Sequence, residues 1–206
     1  MGKINLNELD EMQYDVLKEI GNIGAGNATT ALSTMLNIKV DMSVPKVALV
    51  PFANISDFIG SEDQTVVGIL LEMDEDISGM MMFIFDLKSA HRLVNMLMQV
   101  DGEVSENLDF QEMEMSALCE IGNIIAGSYI TAISTLTNLV IGASTPNLTI
   151  DMVGALLSVP AAEFGKFGDK LLFIQSQFGE DDYINGYFLM IPELDSYDKI
   201  LGALGL

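Results

Sequence analysis

EIGNIGAGNATTALSTMLN (Glu19–Asn37) and EIGNIIAGSYITAISTLTN (Glu120–Asn138) are nearly the same stretch, written twice in one chain. Shifted by 101 positions, Glu11 and Met12 fall on Glu112 and Met113, and Glu19 to Ile23 fall on Glu120 to Ile124. Ala25, Gly26, Thr30, Asn37 and Pro45 likewise fall on Ala126, Gly127, Thr131, Asn138 and Pro146, with Thr131-Ala132 repeating Thr30-Ala31. Further on, GMMMFIFDLKSAHRLVNML (79–97) aligns with GYFLMIPELDSYDKILGAL (186–204) at an offset of 107. The second half therefore carries six extra residues (107 minus 101), which the sequence places in the loop-like AAEFGKFGDK (161–170). Two copies are too few for a solenoid array and predict a pseudo-twofold unit with two equivalent surfaces. We read residues 1–206 as one domain of two repeats, 1–102 and 109–206, joined by the acidic DGEVSENLDFQE (101–112).

Each repeat has the same local grammar. Apolar residues at helical period predict a long helix over Leu9–Asn37 and again over Asp109–Asn138. A short strand is expected after each Pro, in KVALV (46–50) and NLTIDMV (147–153). Two further strands then flank an acidic turn: 66–73 and 79–86 around Asp74-Glu75-Asp76, and 171–178 and 186–191 around Glu180-Asp181-Asp182. An amphipathic helix closes each repeat (89–99 and 196–205). Antiparallel hairpins beside segregated helices make the expected class α+β, with two long helices packed on mainly antiparallel sheet.

Composition removes several functions. The chain has 206 residues, half of them hydrophobic, and a net charge of −21. Such a charge opposes nucleic acid, which needs a basic face, and opposes anionic membranes. One cysteine, Cys119, allows no internal disulfide and fits a reducing compartment, so a cytoplasmic location is expected. The N-terminal segment lacks a signal-peptide core. Ile20–Ile38 and Ile121–Ile150 are uncharged and long enough to span a bilayer. Their many Asn, Thr, Ser and Gly residues and acidic flanks instead predict buried helices without membrane insertion.

On a wheel of the first helix, Met12, Val16, Ile20 and Ile23 form an apolar arc. Asp15, Glu19, Asn22 and Gly26 fall on an adjoining arc about 60° wide. Their second copies are Ser116, Glu120, Asn123 and Gly127. Glycines cost a helix about 0.5–1 kcal/mol each relative to Ala, so their retention needs a reason. Close helix packing is one; room for another molecule's backbone beside the Glu–Asn pair is the other. A Glu–Asn pair that merely ties the helix to a loop is as consistent with the spacing as a functional one.

The chemistry open to such a pair is narrow. Neither residue is a good nucleophile, and without His or Cys they make a poor transition-metal site. His91 and Cys119 are matched by Asp198 and Lys18 in the other repeat, so neither supports a duplicated mechanism, and both are expected to be packing or surface residues. GNIGAG follows a helical pattern rather than a strand and lacks a Gly-Lys-Ser/Thr ending, which argues against nucleotide binding. An amide donates and accepts, so it can orient a water, and a carboxylate can meet a partner's cation. Together they can aim water at an electrophile brought by another molecule.

Asp15-xxx-Glu19-xx-Asn22, then twenty-two residues, then Pro45, resembles the phosphatase signature of the CheC/CheX/FliY family of bacterial chemotaxis. Ser116-xxx-Glu120-xx-Asn123, again with Pro146 after twenty-two residues, repeats it, and the resemblance covers essentially the whole chain. The chain looks like a two-motif member without the flagellar switch domain of FliY-like proteins. The resemblance implies hydrolysis of the aspartyl phosphate of phosphorylated CheY, a two-component signalling step. It implies that Asn22 and Asn123 place the water and that Glu19 and Glu120 meet the regulator's lysine. Asp15 and Ser116 would support the motif, and Pro45 and Pro146 would shape the turn after the helix. It further implies no metal or cofactor of this chain's own, Mg²⁺ being held by CheY, and a complex with the deamidase CheD. The alternative is a non-catalytic adaptor that sequesters phospho-CheY or CheD. Ile125 for Gly24 and Tyr129 for Ala28 are expected to make the second site's face bulkier. The methionines are expected mostly in the core, with Met80-Met81-Met82 as a candidate partner surface.

Overall fold

In a computed structural model, the two copies of the repeated stretch form helices of 26 residues each. The structure describes residues 9–37, 39, 42–100, 104, 107–164, 170–178 and 184–206, without the side chains of 42–45, 52, 164 and 176–178. In chain order the elements are α1 (Glu11–Leu36), β1 (Met42–Pro51), a 3₁₀ turn (Phe52–Asn54), α2 (Ser56–Ile59), β2 (Thr65–Glu75), β3 (Gly79–Asp86) and α3 (Leu87–Met98). The second repeat gives α4 (Glu112–Thr137), β4 (Ile141–Ala143), β5 (Asn147–Met152), α5 (Val153–Phe164), β6 (Lys170–Phe178), β7 (Ile184–Pro192) and α6 (Leu194–Ala203). The acidic turn at Glu180-Asp181-Asp182 and parts of the linker and of the 161–170 segment lie outside the described residues.

Both long helices start and stop by the same chemistry. Asp10 accepts from the Gln13 amide at 2.8 Å while the Gln13 side chain accepts from the Asp10 amide. Gln111 and Glu114 repeat this reciprocal capping on α4. Asn37 (φ 52°) and Asn138 (φ 57°) end the helices in the left-handed region, where Asn is among the few tolerated residues.

The seven strands form one antiparallel sheet in the order β1-β6-β7-β3-β2-β4, with β5 also paired to β2. At its centre, Gly79 pairs with Pro192 and Phe85 with Gly186, which are exchanged by the 107-residue repeat offset. Met82 pairs with its own counterpart, Leu189, so the pseudo-twofold axis passes there. The strand that follows each long helix joins the opposite repeat: β1 pairs with β6, and β4 and β5 pair with β2.

Strand β3 is buried on both faces, which explains its unbroken apolar run. Met81, Phe83 and Phe85 point to the core shared with α1, α4, α3 and α6. Met80, Met82 and Ile84 point to a second core under α2 and α5, with Ile55, Ile59 and Leu156. The three methionines are therefore core, and the partner-surface reading of them is overturned.

Other expectations are corrected as well. Pro45 and Pro146 do not shape a turn. Pro45 lies within β1, an edge strand whose register with β6 shifts between Ser43 and Lys46. Pro146 divides the equivalent strand into β4 and β5. Proline lacks the amide a ladder needs, so an edge or a break is where it is tolerated. Ala161 to Phe164 end helix α5 rather than forming a loop, and α2 and α5 were not foreseen. The expected apolar arc of α1 is offset: Ile20 is buried and Val16 packs against the core, but Met12 is 63% exposed, and the buried stripe runs through Leu17, Ile20, Gly21, Gly24, Ala25 and Ala28. Four of its residues are Gly or Ala, which a hydropathy wheel ranks low. Helix α4 is long and apolar enough to cross a membrane, but half of its most apolar window is buried in the fold.

Candidate functional site

The glycine that precedes each motif Asn seats the helix on the sheet. A β-carbon on Gly21 would lie 3.2 Å from Ile174 and Val47, and one on Gly122 would lie 2.7 Å from Ile69. With that edge against β-strands, the next residue of the helix faces away. Tyr14 fixes the rotation of α1 further, donating from its hydroxyl to the Val47 carbonyl at 2.8 Å.

The outcome is the same in both repeats. Asp15, Glu19 and Asn22 are exposed on α1, and Ser116, Glu120 and Asn123 are exposed on α4. Neither amide is sealed in the interior. Nothing lies within 4 Å of a β-carbon placed on Gly26 or Gly127, so the glycines divide by role. Gly21, Gly24 and Gly122 permit close packing inside the fold, whereas Gly26 and Gly127 leave open space beside the Glu–Asn pairs.

The second site is a built groove. Ser116, Glu120, Asn123 and Pro146 line one open depression of about 570 Å³, together with Met115 and Cys119. Its far wall, Ala143 to Pro146, is the end of β4 and the break before β5. Ser144 pins that wall: its hydroxyl accepts from the Glu72 amide at 2.9 Å, and its own amide donates to the Glu72 carbonyl at 2.9 Å. The Ser116 hydroxyl donates to the Glu112 carbonyl at 2.9 Å, within its own helix. In the first repeat the side chain of Pro45 lies outside the description, so only Asp15, Glu19 and Asn22 are placed.

Sequence reasoning missed Ser144 and Met115 as groove residues and took Cys119 as an ordinary packing or surface residue. Met115 and Cys119 sit four residues apart on the face that carries Ser116 and Asn123, a signal that helical spacing offers. Burial pushes the Cys119 thiol up, away from the reactive thiolate. His91 is a packing residue as expected: buried, stacked on Phe110 at 4.0 Å, with Nε2 3.1 Å from the Asn107 carbonyl. Among the described residues no group of three His, Cys, Asp or Glu is arranged to hold a metal ion.

The expected bulk at the second site is corrected by the packing. Gly24 and Ala28 of α1, and Ile125 and Tyr129 of α4, are all buried, so these differences lie inside the fold rather than on the site.

The sequence pattern of the CheC-like family matches residues 12–49 and 113–150, one match per repeat. The chain is 36% identical over 202 residues to the CheY-P phosphatase CheC of Bacillus subtilis, covering 97% of each protein. Its fold matches the crystal structure of Thermotoga maritima FliY with a TM-score of 0.74 at 23% identity, over 96% of this chain and 98% of that one. It also matches the CheX–CheY–BeF3–Mg²⁺ complex of Borrelia burgdorferi with a TM-score of 0.56 at 16% identity, over 86% of this chain and 97% of that one. Identity of this level along almost the entire length, with the family pattern falling on both Glu–Asn helices, shows that the chain belongs to the CheC-like family.

Proposed function

We infer that this chain is a CheY-P phosphatase of chemotaxis, a single two-repeat unit working in the cytoplasm. The observation that carries the reading is the exposed Glu–Asn pair present twice on equivalent helices, in a chain 36% identical to a CheY-P phosphatase over 97% of its length. Asn22 and Asn123 each hold a water in line with the phosphorus of the regulator's aspartyl phosphate. The water oxygen forms a bond to phosphorus while the bond to the aspartyl oxygen breaks. The carboxylate leaves, and the water's protons end on inorganic phosphate and solvent. Glu19 and Glu120 meet the regulator's lysine, and Asp15 and Ser116 support the helix face. An acyl phosphate is already activated, so positioning suffices and no nucleophile from this chain is required. The chain uses no cofactor of its own; Mg²⁺ belongs to CheY. The deamidase CheD is the second partner implied by the family.

The test is phosphate release from phospho-CheY with wild type and with the combined Asn22→Ala and Asn123→Ala variant. The variant is expected to fold and bind, and to lose on the order of 10²-fold in rate, the usual cost of one positioned polar group. A wild-type rate in that variant refutes the mechanism. Loss of free regulator without phosphate release points to an adaptor instead.

A further inference from the structure

We propose that Met12 and Met113 are specificity-determining residues that dock the response regulator beside each Glu–Asn pair, an inference resting on the phosphatase reading above. They are 63% and 68% exposed, among the most exposed large apolar side chains of the described residues. Scattered exposed apolar residues are ordinary, but these two occupy equivalent positions, 101 residues apart, and no other pair among the exposed large apolar residues does.

Their placement on the helix aims them at the same visitor. Met12 precedes Glu19, and Met113 precedes Glu120, by seven residues. Seven residues are two turns, so each Met lies within about 20° of its Glu on the helix face and about 10 Å toward the N-terminus. A protein large enough to cover Glu19 and Asn22 reaches Met12 on the same approach. The two methionines are also held ready. Each is the second residue of a helix whose first turn is locked by reciprocal capping, Asp10 with Gln13 and Gln111 with Glu114. A side chain on a fixed turn loses little backbone freedom on binding, and a thioether adapts its shape to an apolar patch. The polar pair carries chemistry but little apolar area; the methionine provides that area. The partner is thus a regulator with an apolar patch next to its phosphorylation site.

The experiment measures binding of the full chain to beryllofluoride-loaded CheY with Mg²⁺, and phosphate release from phospho-CheY over a range of regulator concentrations. The combined Met12→Gln and Met113→Gln variant is expected to bind roughly ten-fold more weakly, the lower end for losing an apolar contact of this size. Its KM rises by the same factor while kcat holds. Met12→Leu with Met113→Leu restores binding, and Val159→Ala, an exposed apolar residue elsewhere, changes nothing. Affinity and KM within two-fold of wild type in the Gln variant overturn the proposal. So does a wild-type dimer that the Gln variant dissociates, since the methionines then serve a second copy of the chain. If wild type binds but releases no phosphate, with binding still dependent on the methionines, the phosphatase reading fails and the docking role stands.

Discussion

The ring of Tyr129, on α4, lies directly over Gly24 of α1, where any β-carbon would overlap its Cδ1. From there the ring reaches the sheet, 4.2 Å from Phe188, which stacks on Phe83 at 4.7 Å. In the repeat-equivalent pair Ile125 of α4 takes the place of Gly24 and Ala28 of α1 that of Tyr129, so α4 carries the larger residue in both pairs, and Ile125 and Ala28 are both buried. The asymmetry between the repeats is therefore a packing solution at the crossing of the two long helices.

Gly24→Ala is expected to destabilise the fold by about 1–3 kcal/mol, because the aromatic neighbour is hemmed in by Phe188 and cannot retreat. Tyr129→Ala is expected to cost about 3–5 kcal/mol by leaving a cavity. Joining Gly24→Ile to Tyr129→Ala copies the other pair. That double variant should be less destabilised than the sum of its singles, with a coupling of about 0.5–3 kcal/mol in urea titrations. Strict additivity shows that the two residues do not share the space.

Gly26 and Gly127 behave in the opposite way. With nothing within 4 Å of a β-carbon at either position, Ala there meets no neighbour. Each substitution should stabilise its helix by about 0.5–1 kcal/mol. If the open space serves the approach of a regulator, phosphate release should fall in the same proteins. A rise in Tm with unchanged kcat/KM shows that the glycines serve nothing at the site.

Glu19→Gln combined with Glu120→Gln keeps shape and removes charge on two exposed side chains. Stability should stay within about 0.5 kcal/mol of wild type, as for most surface changes. The KM for phospho-CheY should rise more than kcat falls, since a carboxylate that meets a partner's lysine acts mainly in association. Initial rates over a range of regulator concentrations separate the two. A pure kcat loss places the carboxylate in the chemical step instead.

Stability should fall on the alkaline side. Burial raises the Tyr197 phenol, partly offset by the Leu172 backbone, and burial with the Asp86 charge raises Tyr187. Burial raises the Cys119 thiol as well. All three hold their protons in the folded state after the unfolded chain has released them, from about pH 8.5 for a thiol and about pH 10 for a phenol. The unfolded state then binds fewer protons, so stability decreases as pH rises through those values. Urea midpoints at pH 7, 9 and 10.5 check this, and Tyr197→Phe should flatten the decline.

What the sequence disclosed and what it hid follow from range. The two long helices and both hairpins depend on local period and capping, so they were legible to within a few residues. The Glu–Asn pairs were legible for the same reason, since one helix turn places them. The exchange of strands between repeats was not, because pairing Val67 with Ile150 leaves no local trace. Helix α2 has four residues, and α5 opens on an apolar run and contains Pro160, so neither shows a helical signature. The groove escaped because Ser144 reaches it only through the pairing of β4 with β2. The apolar arc of α1 was read off-centre, sharing Ile20 with the buried stripe, because Gly21, Gly24, Ala25 and Ala28 fill the middle of that stripe between Leu17, Ile20 and Leu32.

The crossed pairing of β1 with β6 and of β5 with β2 makes each repeat an incomplete object. Severed between α3 and α4, either fragment would present an unmatched hairpin edge and a stray strand, and its own Glu–Asn helix would have lost half its floor. The chain is in effect a homodimer fused head to tail. Truncation therefore cannot remove one Glu–Asn helix and leave the other's sheet whole; only substitution alters them singly.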